Sequence, residues 1–152
     1  MIRHPHFATL GTMLSLLAAS DALMAQESRR YISPRTVADT ALTPFSGGVL
    51  VGNTLYLSGK IGLTEDRKVP SSAAEEARLV LNDVKATLAA AGMTMDDLVS
   101  VQIFCSDVSH YDAFNRVYRT YFTREFPARA FLGSGTLLFG ARFEVQAIAV
   151  RR

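Results

Sequence analysis

The sequence predicts a single α+β domain, with one sheet carrying two helices on one of its faces. Apolar residues alternate at period two in several runs, and two other stretches repeat them at helical spacing. The chain of 152 residues has room for one sizeable core and not for two. The predicted order is β-β-α-β-α-β-β. Two helices cover only one face of such a sheet. Leu, Val and Phe on both sides of several strands favour another subunit against the other face, rather than solvent.

The elements follow from local signals. Tyr31 to Pro44 is polar and holds two prolines, so it reads as an edge strand or an arm leading to a turn. Val49–Val51 and Thr54–Ser58 are β-rich runs separated by Gly52-Asn53, a two-residue hairpin signal. After a polar loop to Pro70, Ser72 and Glu75 spell a capping box. Ala77, Leu81, Val84 and Leu88 then recur at helical spacing, and Gly92 supplies a stop. This predicts a helix over 72–91, with Glu76, Asp83 and Lys85 off its apolar stripe. Val99, Val101, Ile103 and Cys105 alternate with Ser100, Gln102 and Phe104 as a strand would. Ser109 and Asp112 suit the cap of a second helix with the stripe Phe114, Val117, Tyr118, Tyr121 and Phe122, closed by Pro127. Ala128–Leu132 reads as a strand. A turn rich in glycine (Gly133, Gly135, Gly140) leads to a last alternating run from Arg142 to Arg151.

The first residues read as an address. Arg3, His4 and His6 make a weakly cationic start, and Phe7 to Ala19 carries no charge. That stretch is too short for a bilayer, which takes roughly 20 residues, but it suits the apolar part of a secretory signal. Residues 1–25 are expected to be a signal peptide cleaved after Ala25. Residues 26–152 are then the mature domain, periplasmic or secreted, with no membrane attachment.

Composition excludes several chemistries. The single cysteine, Cys105, cannot form an internal disulfide and reads as a small core residue. Beyond His4 and His6 only His110 is left, and it reads as a solvated side chain. One histidine and one cysteine make a zinc site of the usual ligand sets untenable, so no metal is expected. A formal charge of +2 with no run of three basic residues does not exclude nucleic acid but does nothing to suggest it.

Two charges stand out of place. Arg129 interrupts the apolar Phe126–Leu132 block, and Glu144 interrupts the terminal run Phe143–Val150. A buried charge without a partner is very costly. Either both project from an exposed sheet face or pair with each other, or the guanidinium fork awaits a carboxylate beside a glutamate base. Ser58-Gly59 offers a hydroxyl and an N–H at a strand end, or is a plain turn. Asn115 and Tyr118, three residues apart, make a polar helix edge or an ordinary helix face.

Taken together, Thr43-Pro44-Phe45-Ser46, Leu57-Ser58-Gly59-Lys60-Ile61-Gly62, Asn82-Asp83-Val84-Lys85, Phe126-Pro127-Ala128-Arg129-Ala130 and Glu144–Val150 form an ordered set. In these pieces the sequence resembles the RidA (YjgF, or L-PSP) family over residues 31–152. The resemblance implies a chorismate-mutase-like fold and a homotrimer with active sites between subunits. It also implies hydrolytic deamination of 2-imino or enamine acids to 2-keto acids and ammonia, without metal or cofactor. The family's carboxylate-binding arginine falls on Arg129 and its water-orienting glutamate on Glu144. Its pocket serine and glycine fall on Ser58 and Gly59, and its pocket asparagine on Asn115. Two departures concern substrate. Phe45 stands where the deaminases usually place a tyrosine, and Phe131 where they often place a cysteine, which is expected to narrow or reshape the pocket. The alternatives are a non-enzymatic small-molecule-binding or chaperone-like trimer of the same fold and, third, an endoribonuclease.

Overall fold

A computed structural model describes residues 28–33 and 44–152. The proposed signal, its cleavage site and most of the Tyr31–Pro44 arm lie outside the described residues. Six strands make one sheet: β1 (Arg29–Ile32), β2 (Gly48–Val51), β3 (Thr54–Ile61), β4 (Leu98–Cys105), β5 (Ala128–Gly133) and β6 (Phe143–Val150). Their order across the sheet is β1-β2-β3-β6-β4-β5. Helix α1 (Ala73–Ala90) joins β3 to β4, and α2 (Tyr111–Tyr118) lies between β4 and β5. Neighbouring strands are antiparallel except β4 and β5, which the α2 crossover makes parallel. The predicted class holds and the order gains one strand at its start: the segment read as an edge strand or an arm supplies β1, which begins at Arg29 rather than Tyr31. At the predicted hairpin Val51 pairs with Thr54, and Gly52 turns the chain with φ 55°.

The core is the layer between the helices and one sheet face. Leu55, Leu57, Val101, Ile103, Val145 and Ala147 from the strands meet Val80, Leu81, Val84 and Leu88 of α1 and Phe114 and Val117 of α2. Burying each of the larger side chains is worth about 1.5–3 kcal/mol. Where β3 ends, Gly62 lets α1 come close. A Cβ there would run into the Glu76 carbonyl of the helix backbone.

Four local expectations need correction. Ser72 sits at the N-cap of α1, but its hydroxyl makes no capping bond, so the Ser72/Glu75 box does not form. Glu76 is not off the buried stripe: it is fully buried. Its carboxylate accepts from the backbone N–H groups of Arg142 (2.6 Å) and Phe143 (3.0 Å) and pairs with the Arg142 guanidinium (2.8 Å). The cap ahead of α2 is Asp107, whose side chain accepts from the Ser109 N–H at 2.9 Å. Finally, Val99 is exposed while Leu98 is buried, because the β4–β6 register shifts between Leu98 and Ser100. A bulge of this kind turns one side chain out of the alternation.

Candidate active site

Arg129 lies on edge strand β5, on the face the helices cover. Its register partner is Val101, which is buried in the core, and partners in a parallel ladder share a face. The guanidinium Nη1 donates to Asn115 Oδ1 of α2 at 2.7 Å. The group also lies over the rings of Tyr118 (4.8 Å to the centroid) and Tyr111 (5.8 Å). One hydrogen bond and two aromatic faces fix its plane. A cleft of about 260 Å³ opens beside it, lined by Tyr111, Asn115, Tyr118, Arg119, Phe126 and Pro127. Among the described residues no carboxylate pairs with Arg129.

In the sequence Tyr118 reads as part of the helix's apolar stripe or of a polar edge with Asn115, and only the fold places its ring under Arg129. Burial pushes its hydroxyl up to about 12, with the Arg129 charge pulling weakly the other way. That oxygen has no hydrogen-bond partner among the described residues.

Glu144 lies on β6 and faces the other side of the sheet. It pairs across the ladders with Phe104 and Ile61, between the buried Phe143 and Val145. It lines a groove of about 880 Å³ together with Phe45, Ser58 and Gly59. A Cβ at Gly59 would meet the end of the Glu144 side chain, so the carboxylate can rest against the strand here only because the residue is glycine. Ser58 donates from Oγ to the Ser46 carbonyl at 2.6 Å, which ties the Phe45 segment to β3. The buried Lys60, which also lines the groove, pairs with Asp83 of α1 at 3.3 Å. Among the described residues Glu144 makes no ion pair and no side-chain hydrogen bond.

The seven expected site residues therefore divide. Arg129 and Asn115 stand together, and Glu144, Gly59, Ser58 and Phe45 stand together. The two groups occupy opposite faces of one sheet, with β4 between their strands. Arg129 and Glu144 do not pair with each other. Phe131 belongs to neither group and lines neither space; its ring packs edge-on against Tyr111 (5.0 Å) and Phe114 (5.8 Å). Cys105 is a buried core residue, its thiol pushed up by burial. His110, expected in solvent, is half-buried with its ring 6.1 Å from that of Phe143.

A profile of the family described as Endoribonuclease L-PSP matches residues 36–151. The chain belongs to the L-PSP (RidA) family. The goat (Capra hircus) 2-iminobutanoate/2-iminopropanoate deaminase is 37% identical over 84% of this chain and 94% of its own. The human protein of the same name is 35% identical over the same shares, 84% and 94%. The crystal structure of the E. coli YjgF gene product superposes with TM-score 0.73 at 34% identity, covering 81% of this chain and 99% of that one. E. coli TdcF, solved with bound serine, gives 0.73 at 27% identity, with 81% and 99% covered. This L-PSP family chain thus shares its fold with proteins named for deamination and, through the family's description, with a name for RNA cleavage.

Proposed function

We propose that this chain hydrolyses reactive 2-imino or enamine acids to 2-keto acids and ammonia. The observation that carries the reading is Arg129: a guanidinium fixed in plane, open to a cleft, with no carboxylate paired to it among the described residues. Such a fork takes a substrate carboxylate through two parallel N–H donors. The deaminase names of relatives at 35–37% identity support it, as does serine, an α-amino acid, bound to TdcF.

In the reaction, Arg129 holds the carboxylate and so places the imine carbon. Glu144 takes a proton from water as its oxygen bonds to that carbon, and the C=N π pair moves to nitrogen. Glu144 returns that proton to the nitrogen, then passes it a second one from the new hydroxyl, so that the C–N bond breaks, ammonia leaves and the carbonyl forms. Positioning and a general base are enough for a substrate of this reactivity. Gly59 keeps the carboxylate of Glu144 against the strand. Gly59→Ala is expected to lower turnover on the order of 10²-fold, since a displacement of about 1 Å has that effect. Ammonia release measured on the folded variant checks it.

Because Arg129 and Glu144 leave opposite sheet faces, the reading requires two copies of the chain. Arg129 of one protomer meets Glu144 of the next, in a homotrimer that covers the open face. Mixing inactive Arg129→Ala and Glu144→Gln subunits, unfolding and refolding them together, is expected to restore part of the activity. A mixture as dead as its parents, or a monomer by light scattering, would sink the shared site.

The deciding assay generates an imine in situ with an amino-acid oxidase and follows ammonia and keto acid, with RNA cleavage measured in parallel. Imine loss unaffected by the protein would leave the binding-module reading. RNA cleavage alone would favour the nuclease name, which a formal charge of +2 does little to support. We also propose export through residues 1–25. Mass spectrometry of the mature protein is expected to find Gln26, or a residue within a few positions, at the N-terminus.

A further inference from the structure

Beyond the reacting end of the Glu144 groove lies a second feature. Among the described residues only Arg67 (φ 61°) and Phe139 (φ 59°) are non-glycine residues in the left-handed region. Bulky side chains are strained there, and glycine is the residue that would relieve it. The two touch each other: the Arg67 guanidinium lies over the Phe139 ring, 5.6 Å from its centroid. Their loops leave the same end of the β3–β6 ladder, just past its last pair, Ile61 and Glu144. Two strained residues from distant loops thus clasp each other beside the proposed base.

The clasp adds apolar surface where solvent would otherwise be. Phe139 is 60% exposed and Leu138 69%, and both line the groove with Phe45 and Leu63. Glu144, Ser58 and Gly59 line the groove at the end of the β3–β6 ladder, and Phe139, Leu138, Phe45 and Leu63 give it apolar surface alongside Thr64, Glu65 and Arg67.

We propose that Phe139, held by Arg67 and continued by Leu138 and Phe45, receives the side chain of the substrate. The substrate class is then 2-imino acids with a large apolar side chain, aromatic or branched, rather than those of two or three carbons. This rests on the deaminase reading of Glu144.

The test measures kcat/KM for imines derived from alanine, leucine and phenylalanine, and in parallel the binding of pyruvate and phenylpyruvate by calorimetry. The wild type is expected to favour the phenylalanine-derived imine and phenylpyruvate. Phe139→Ala is expected to cut the phenylalanine-to-alanine ratio about tenfold, the scale on which an apolar pocket discriminates. Arg67→Gly, which removes the cation and relieves the strain, is expected to cut it in the same direction. A wild type that prefers the alanine-derived imine, or a ratio unmoved by both variants, overturns the proposal while leaving deamination intact. A change in oligomeric state on Phe139→Ala also overturns it, because that apolar surface would then be a contact between copies. Absence of turnover on every imine removes the deaminase reading and the proposal with it.

Discussion

Arg129→Lys is expected to lower imine turnover on the order of 10²-fold, although it keeps the charge. Lysine offers a point charge on a flexible stem, whereas the carboxylate requires two donors in one plane. The substitution also loses the 2.7 Å bond to Asn115 in its present geometry and the stacking on Tyr118 and Tyr111. The carboxylate then binds loosely and the imine carbon drifts from the water that Glu144 orients. Arg129→Ala is expected to be at least as damaging. Glu144→Gln is expected to act differently, lowering turnover while sparing the binding of a keto acid, since it removes the base and leaves the anchor. Each variant is first checked for an unchanged oligomer by light scattering. Near-wild-type rates for both Arg129 variants would take the residue out of the mechanism and favour a binding module.

Much of the fold could be read from periodicity, because strands β2, β3, β4 and β6 each bury alternate residues on one side. What periodicity cannot carry is a partner far along the chain. Glu76 looked like a solvent-facing helix residue because its partners, Arg142 and Phe143, are supplied by the loop that enters β6. Leu98 rather than Val99 is buried because of a bulge against β6, a property of two strands and not of one. The site was legible in a similar, partial way. Arg129 and Glu144 betray themselves as charges in apolar runs. That they face opposite sides follows only from register through β4, where Val101 partners Arg129 and Phe104 partners Glu144. Phe139 carried no signal, since an exposed aromatic in a glycine-rich turn says nothing until Arg67 is found over its ring.

Glu76→Ala is expected to have the largest effect on stability. Its carboxylate is fully buried and holds three donors: two backbone N–H groups and one guanidinium nitrogen. Arg142 in turn donates to the carbonyls of Pro70 (2.8 Å) and Ser71 (3.1 Å), so one charge pair binds the start of α1 to the start of β6. Removing one member of a buried pair costs about 3–5 kcal/mol, because the other group and the amides lose their acceptor without regaining water. For a domain of this size each kcal/mol is worth roughly 2–8 °C, so Tm is expected to fall on the order of 10 °C or more. Glu76→Gln keeps an acceptor for an amide and is expected to lie between the wild type and Glu76→Ala. Arg142→Ala in the Glu76→Ala background is expected to add much less than it does alone, since both act through one contact. The effect reaches the site as well. The amides held by Glu76 belong to the two residues just before Glu144, so loosening them frees the proposed base while leaving Arg129 and Asn115 in place. At a temperature where Glu76→Gln is still folded, kcat is expected to fall while keto-acid binding is largely kept. Melting within a few degrees of wild type for Glu76→Ala would show that the pair does not hold this junction together.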